Sequence, residues 1–193
     1  MITLDIASHT TPLGRVQMAL RGGLLCTLTL EDAFPPFSWQ LERRFPICAK
    51  RLLSDAATRV KRALDAYFAG ELHGLAELPI DLGGSDFQRA VWNALRAVPA
   101  GETVSYGALA RAIERPHAAR AVGAACGANP VWLVVPCHRA IGSDGHLVGY
   151  AAGLERKGWL LAHERARSAS RKLGDHLGLE VDSRAHAGDA RAS

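Results

Sequence analysis

The sequence lacks the features that mark membrane-spanning, secreted and zinc-binding proteins. No apolar run reaches the roughly 18 residues that a membrane span needs. The first residues contain no basic segment followed by an apolar one, so we expect no secretory signal and a cytoplasmic location. The four cysteines are far apart and show neither a Cys-x-x-Cys pair nor zinc-site spacing, so we expect free thiols and no metal site.

Lysine is also scarce, with 4 Lys against 19 Arg in a chain of 193 residues whose net charge is +4. The basic balance permits a nucleic-acid partner. An arginine-rich composition also arises from genome composition alone, so charge leaves both interpretations open. A hydrophobic content of 48% supports a real core, and the length allows one large domain or two small ones.

The first half of the chain predicts a small sheet followed by a helix. Apolar residues alternate with polar ones within residues 1–30, which is typical of a β-hairpin. Residues 37–53 are ambiguous and are interpreted as a short helix and a further strand. Residues 54–70 predict a helix with Ser54 as its N-cap. Proline and glycine then interrupt the pattern, and we place a domain boundary near residue 80.

The second half predicts mostly helices. Ser85 and Gln88 fit a capping box at the start of one helix. Ser105 can cap a second helix over residues 106–113, and a break separates it from a third over 118–127. Two short helices joined by a tight break are typical of a helix-turn-helix, although a close-packed interior helix would also explain the small residues of the third.

The end of the chain predicts one more helix, over residues 154–164. Beyond it the sequence has few apolar anchors, so we expect residues 165–193 to form a largely disordered tail. A weak helix that includes Leu173, Leu177, Leu179 and Val181 is the alternative within it. The predicted organisation is therefore an N-terminal α/β domain over 1–80, a mostly helical domain over 81–164, and this tail.

Three reactive side chains follow directly after an apolar run. Residues 131–135 predict a buried strand or extended segment, and Pro136 then precedes Cys137, His138 and Arg139. Turn-forming residues lie on both sides of these three. Filling a core does not call for a thiol, an imidazole and a guanidinium at one point, so the stretch is a candidate active site.

A cysteine is a strong nucleophile only as the thiolate, so a base or a positive charge must lower its pKa. His138 can act as that base if the backbone turns or a water links it to Cys137, and Glu164 or Glu155 can orient the imidazole. Taken alone, the pair is more typical of a buried free cysteine beside a core histidine.

A series of short motifs runs through residues 84–164. They are Phe87-Gln88, Val91-Trp92, Pro99 to Tyr106, Arg120 to Gly123, Asn129-Pro130, Pro136 to Arg139, Gly149-Tyr150 and Leu160 to Glu164. In order and spacing they resemble the O6-alkylguanine-DNA alkyltransferases, also called methylated-DNA–protein-cysteine methyltransferases. Residues 1–80 match more loosely. The resemblance implies an α+β fold, with a small ribonuclease-H-like antiparallel sheet domain and a mostly helical domain that contains a helix-turn-helix.

The resemblance also implies a function. The protein would move an alkyl group from O6-alkylguanine in double-stranded DNA irreversibly onto its own Cys137, once per molecule, after flipping the base out. O4-alkylthymine is a further candidate substrate. No cofactor, membrane or obligate protein partner is implied, and the protein would act as a cytoplasmic monomer.

Roles for single residues follow from the resemblance. The implied catalytic set is Cys137 as nucleophile, His138 as base through a water, Glu164 holding His138, Tyr106 assisting the leaving guanine, and Asn129 bracing the turn. The implied DNA contacts are Arg120, which would fill the place of the flipped base, with Ala119, Gly123, Ser105, Tyr106 and Arg139. The implied base pocket is Ala140, Tyr150, Ala151 and Ala152.

Two departures from the family pattern and two other functions remain to be weighed. Trp132 stands where the family is often smaller, with only packing consequences expected, and Ala152 replaces a frequent glycine, which could restrict bulky alkyl groups.

A non-catalytic damage sensor or helix-turn-helix regulator would not need Cys137. A thiol hydrolase would leave Arg120 and Tyr106 unexplained.

Overall fold

The computed structural model describes residues 2–52 and 55–177. Its N-terminal part is a four-stranded sheet formed by β1 (Ile2–Thr11), β2 (Gly14–Arg21), β3 (Leu24–Leu30) and β4 (Cys48–Leu52), in the order β3-β2-β1-β4. The predicted hairpins are confirmed, since β1 pairs antiparallel with β2 and β2 with β3. The edge strand β4 departs from the antiparallel prediction and runs parallel to β1. The chain reaches β4 from β3 through a helix that crosses the sheet, because a tight turn cannot join parallel strands.

Helices cover both faces of this sheet. The two helices are α1 (Phe37–Arg44) and α2 (Asp55–Ala69). Successive strand residues point to opposite faces, so Met18 joins the core that contains α2 whereas Ala19 joins the core that contains α1. The short helix and further strand predicted in residues 37–53 are therefore confirmed. Ser54, the predicted cap of α2, lies outside the described residues.

The remaining elements are mostly helical, which confirms the predicted α+β architecture. They are α3 (Asp86–Arg96), β5 (Val104–Ser105), α4 (Tyr106–Ala112), α5 (Ala119–Gly127), β6 (Ala140–Ile141) and α6 (Leu154–Leu177). Ser85 and Gln88 form the predicted capping box, and the Ser105 hydroxyl accepts from the Ala108 amide at 3.1 Å as the cap of α4. Helices α3, α4 and α5 share a second core.

The apolar run over residues 131–135 is buried, but the prediction of a strand is wrong. The segment forms a single β-bridge pair with β3, between Val131 and Leu28, and then turns back, with the Val135 amide donating to the Val131 carbonyl at 3.0 Å. Leu133 has a positive φ of 66°, which an extended segment does not allow. The turn carries the chain from the first core, which holds residues 131–134, to the second, which holds Val135 and Cys137.

The last helix also differs from the prediction. Helix α6 continues through Leu177, so residues 165–177 are helical, and the rest of the predicted tail lies outside the described residues. Alanine and arginine in this segment favour helix, and the Ser168 hydroxyl donates to the Ala100 carbonyl at 3.0 Å. Among the described residues, no helix combines the length and the apolar character that crossing a membrane requires.

Candidate active site

Cys137 begins a short 3-10 turn, Cys137–Arg139, directly after Pro136, and its side chain is buried with 8% exposed. Asn129 fixes this position. Its Nδ2 donates to the Val135 carbonyl at 2.8 Å and to Cys137 Sγ at 3.3 Å, while its Oδ1 accepts from the Val131 amide at 2.9 Å. The side chain thus closes the loop and contacts the thiol at once, which is the bracing position predicted for it.

Opposing effects act on the thiol. Burial raises the pKa of Cys137, whereas the hydrogen bond from Asn129 and the positive charge of Lys157 lower it. Because burial is the largest of these effects, the resting side chain favours the protonated thiol. A nearby base is therefore needed before the sulfur can act as a nucleophile.

His138, the residue predicted as that base, has one ring nitrogen paired and the other without a partner in the described residues. Its side chain is fully buried, and Nε2 lies 2.8 Å from Oε1 of the equally buried Glu164. An ionised carboxylate only accepts, so Nε2 carries the hydrogen and Nδ1 has a free lone pair. Among the described residues, Nδ1 has no hydrogen-bond partner. Burial lowers the pKa of His138 in spite of the opposing effect of Glu164, so the imidazole is neutral and able to take up a proton.

Glu164 is the carboxylate that orients His138, and the alternative Glu155 lies exposed on α6. Oε2 accepts from the Gly101 amide at 3.1 Å, and Oε1 accepts from the Tyr67 hydroxyl at 2.8 Å. Burial by itself would raise the pKa of Glu164. Hydrogen bonds and charge from His138 and Arg139 outweigh it and hold the pKa well below its usual range, so the carboxylate is ionised.

Arg139 belongs to the hydrogen-bond network of Glu164. Its Nε and Nη2 donate to the two oxygens of Glu164 at 3.0 and 2.8 Å, and its Nη1 donates to the Val98 carbonyl at 2.6 Å. The residue is 8% exposed. All three guanidinium nitrogens are engaged inside the protein, while the DNA contact of Arg139 stays a prediction.

Lys157 is a residue of the site that the sequence reasoning missed. It is fully buried on α6, and Nζ donates to the Val148 carbonyl at 2.8 Å. The Tyr106 hydroxyl donates to the same carbonyl at 3.1 Å, and the ammonium lies 5.8 Å from the centre of the Tyr106 ring. The spacing of positions 157, 160, 161 and 164 on one helical face could have revealed it, since a lysine there points inward with Glu164.

The site holds Tyr106 and Lys157 in defined charge states. Burial, together with negative charge on Cys126 and Cys137, raises the pKa of Tyr106 to about 12, so its hydroxyl keeps its hydrogen at neutral pH. Burial lowers the pKa of Lys157, and the charges of the two cysteines oppose that shift. The structure therefore presents a protonated phenol on α4 and a buried lysine on α6, and both donate to the Val148 carbonyl.

The predicted pocket residues differ in burial. Ala140 is fully buried where β6 pairs with Val104 of β5, Ala152 is 9% exposed, and Ala151 is exposed. Tyr150 is oriented by Trp132, whose Nε1 donates to the tyrosine hydroxyl oxygen at 2.8 Å. The expectation that Trp132 affects only packing is therefore wrong, because it also fixes a predicted pocket residue.

The residues predicted for DNA contact, apart from Arg139, lie on α4 and α5 or, for Ser105, directly before α4. Arg120 is exposed, and Ala119 beside it is half-buried. A Cβ atom added to Gly123 would lie 4.0 Å from two atoms of the Tyr106 ring, so the glycine borders that side chain. Ser105 has a local role as the cap of α4.

No cluster of three or more His, Cys, Asp or Glu side chains that could hold a metal occurs in residues 2–52 and 55–177. The four cysteines are free thiols, with Cys126 buried in the same core as Cys137.

Comparisons with known proteins agree on one family. The family model for the "6-O-methylguanine DNA methyltransferase, DNA binding domain" matches residues 86–166. A methylated-DNA–protein-cysteine methyltransferase of Salmonella typhimurium is 59% identical over 98 residues, which cover 51% of this chain and only 57% of that relative. The Mycobacterium leprae protein of the same name is 41% identical over 82% of this chain and 90% of its own.

Solved structures give the same result. Mycobacterium tuberculosis OGT in complex with DNA superimposes with a TM-score of 0.70 at 36% identity, covering 86% of this chain and 94% of that one. The O6-methylguanine-DNA methyltransferase of Pyrococcus kodakaraensis gives a TM-score of 0.64 at 25% identity, covering 83% and 98%. Both parts of the fold are therefore shared with these proteins.

Proposed function

Because this chain belongs to the methylated-DNA–protein-cysteine methyltransferase family, we propose that it moves an alkyl group from O6 of guanine in double-stranded DNA onto Cys137, once per molecule. The observation that carries the proposal is the buried pair His138 and Glu164, 2.8 Å apart, directly following a thiol that Asn129 contacts. A core histidine without a chemical role does not require a buried ionised carboxylate, which is costly to desolvate.

The transfer needs a thiolate. The thiol proton of Cys137 passes through a water to Nδ1 of His138, while Glu164 stabilises the imidazolium that forms. The hydrogen bond from Asn129 and the charge of Lys157 stabilise the negative sulfur.

The sulfur then attacks the alkyl carbon in line with the bond to O6. The S–C bond forms as the C–O6 bond breaks, and the electron pair of that bond stays on guanine. Tyr106, which keeps its hydrogen at neutral pH, donates to the leaving base. The thioether is not readily hydrolysed, so each molecule acts once.

Helices α4 and α5 form the proposed helix-turn-helix. A base inside a duplex is out of reach of a buried thiol, so the nucleotide must be flipped out. Arg120 is exposed at the start of α5 and would fill the space left by the base. Ala119 and Gly123 keep the same helix slim enough to lie in the minor groove.

The finer parts of the proposal are a cytoplasmic monomer that needs no partner protein and no cofactor. O4-alkylthymine is a further candidate substrate. The base would be held by Ala140, Tyr150, Ala151 and Ala152, and the buried Ala152 limits the size of the alkyl group.

Mass spectrometry tests the chemistry, the substrate and the residue together. The intact protein is incubated with duplex DNA containing O6-methylguanine, digested and compared with protein incubated with unmodified duplex. We expect one methyl in place of one hydrogen on the peptide that contains Cys137, and none on the peptides with Cys26, Cys48 or Cys126. Cys137→Ser serves as the control. Repeated turnover, or an unchanged mass of folded protein, would contradict the proposal.

A further inference from the structure

Tyr67 connects the N-terminal part of the chain to the relay. It lies on α2, is 1% exposed, and its hydroxyl donates to Glu164 Oε1 at 2.8 Å. Nε2 of His138 donates to the same oxygen at the same distance. The carboxylate oxygen that polarises the imidazole is therefore shared with a phenol from the sheet domain.

Further contacts fix the orientation of Tyr67 against α6. Nε2 of His163, the residue before Glu164, donates to the Tyr67 backbone carbonyl at 2.9 Å. The Tyr67 ring meets the Phe68 ring edge-on, with centroids 5.2 Å apart, and lies 5.4 Å from the His163 ring. Backbone, ring and hydroxyl of one residue are thus all set by neighbours, which holds the hydroxyl on Oε1.

The Tyr67 hydroxyl acts as a permanent donor. Burial, followed by the negative charge of Glu164, raises the pKa of Tyr67 above its usual range, so the phenol stays protonated wherever the protein is folded. A donor on a carboxylate oxygen stabilises its negative charge and leaves less of that charge for other partners. Tyr67 and His138 therefore compete for the charge of Glu164.

We propose that Tyr67 is a positioning residue of the alkyl-transfer relay, which fixes the Glu164 carboxylate and limits how strongly it polarises His138. This inference rests on the proposed function and adds a residue to it. It also gives the N-terminal sheet domain a part in the chemistry of Cys137, which lies in the other core.

The expected pH effect follows from the groups around the imidazole. The charged groups that act on it are Glu164 and Lys157 of α6 and Arg139 of the turn, and Tyr67 of α2 acts on it through Glu164. Burial lowers the pKa of His138, the hydrogen bond and charge of Glu164 raise it, and the two cations lower it further. Without the Tyr67 hydroxyl, Glu164 has one hydrogen-bond donor fewer, so more of its negative charge acts on His138. The pKa of His138 therefore rises.

Single-turnover kinetics of Tyr67→Phe test the proposal. Methyl transfer from O6-methylguanine in duplex DNA is followed between about pH 5 and 9, the range in which a histidine base titrates. We expect the plateau rate to fall about tenfold, as for a lost hydrogen bond to a charged group. The acid limb of the profile, where protonated His138 cannot accept the thiol proton, should move to higher pH. DNA affinity should be unchanged.

Phe68→Leu is the matched control, because it disturbs the same aromatic cluster and keeps the hydroxyl. Its acid limb should coincide with that of the wild type. Histidine NMR provides a second measurement, in which the His138 pKa should rise in Tyr67→Phe. A Tyr67→Phe profile with an unmoved acid limb, whether or not the rate falls, would overturn the role assigned to Tyr67. Absence of methylated Cys137 in the wild type would instead overturn the proposed function.

Discussion

The side-chain amide of Asn129 lies 3.3 Å from Cys137 Sγ and, through the same nitrogen, 2.8 Å from the Val135 carbonyl. One donor group therefore closes the loop that carries the thiol and also contacts the sulfur. This side chain therefore acts both on the position of the nucleophile and on the stability of its thiolate, which makes Asn129 the most direct test of the site.

Asn129→Ala should slow methyl transfer by about tenfold to a hundredfold, the range expected for a lost hydrogen bond to a charged group. The hydrogen bond from Asn129 lowers the pKa of Cys137. Its removal raises that pKa, so the variant should need a higher pH to reach half of its maximal rate. Single-turnover rates against pH measure both effects.

Asn93→Ala is the control for this experiment, since Asn93 is exposed on α3. It should match the wild type in rate and pH profile. An Asn129→Ala variant that reacts as fast as wild type at every pH would show that the amide does not act on the sulfur.

Glu164 should make the stability of the fold depend on pH. Its folded pKa is held well below the ordinary value of 4.5, so it stabilises the fold above that pH. As the pH falls below about 4.5 towards the folded pKa, this contribution is lost at about 1.4 kcal/mol per pH unit. Glu164→Gln should be less stable at neutral pH by about 3–5 kcal/mol, because Arg139 loses its buried counter-charge.

Chemical denaturation at a series of pH values from neutral to acidic measures this effect. The free energy of unfolding of Glu164→Gln should fall less steeply with acid than that of the wild type. Glu155→Gln, which changes an exposed carboxylate on the same helix, should follow the wild-type curve. Parallel curves for wild type and Glu164→Gln would mean that Glu164 is not held ionised.

The sequence predicted the chemistry of the site better than its geometry. Short motifs identify Cys137, His138 and Asn129. The Ser85 capping box and the helical periods depend on neighbours within one turn, so they could be predicted locally. The turn of residues 131–135 could not be predicted from the sequence, because a short apolar run is equally compatible with a strand and with a buried loop. There the side chain of Asn129 decides the path by bonding to both ends.

Contacts between distant segments were also beyond the sequence. Tyr67 and Glu164 are 97 positions apart along the chain, and the period of a helix shows only that Tyr67 faces inward. The family resemblance implied a DNA contact for Arg139 and gave no sign of its partners inside the protein. Only the packing of α6 shows that Glu164 neutralises it in the interior.

Arg120→Ala should separate base flipping from chemistry. If Arg120 fills the space left by the flipped base, its loss should slow transfer from duplex DNA by about tenfold to a hundredfold, a share of the few kcal/mol that unstacking costs. The rate with the free base O6-methylguanine, which needs no flipping, should not change. Arg43→Ala, on α1, controls for the loss of one positive charge. Equal slowing on both substrates would place Arg120 in the chemistry and not in DNA binding.

Lys157→Met should slow the reaction through the charge at the sulfur. The ammonium lowers the pKa of Cys137 and ties down the Val148 carbonyl, to which Tyr106 also donates. Methionine keeps the length and the packing of the side chain without the charge. We expect at least a tenfold lower rate at neutral pH, and a pH profile displaced to higher pH, since the thiolate loses a stabilising cation.

The displacement of the pH profile distinguishes the effect of the Lys157 charge on the thiolate from its anchoring of the loop at Val148. If its charge dominates, raising the pH should restore most of the Lys157→Met rate. If its anchoring of the loop dominates, the rate should stay low at every pH, because Tyr106 is no longer held towards the leaving base. Lys50→Met, on the exposed face of β4, removes the same charge far from the thiol and should leave the profile unchanged. A Lys157→Met variant with wild-type rate and profile would exclude both roles.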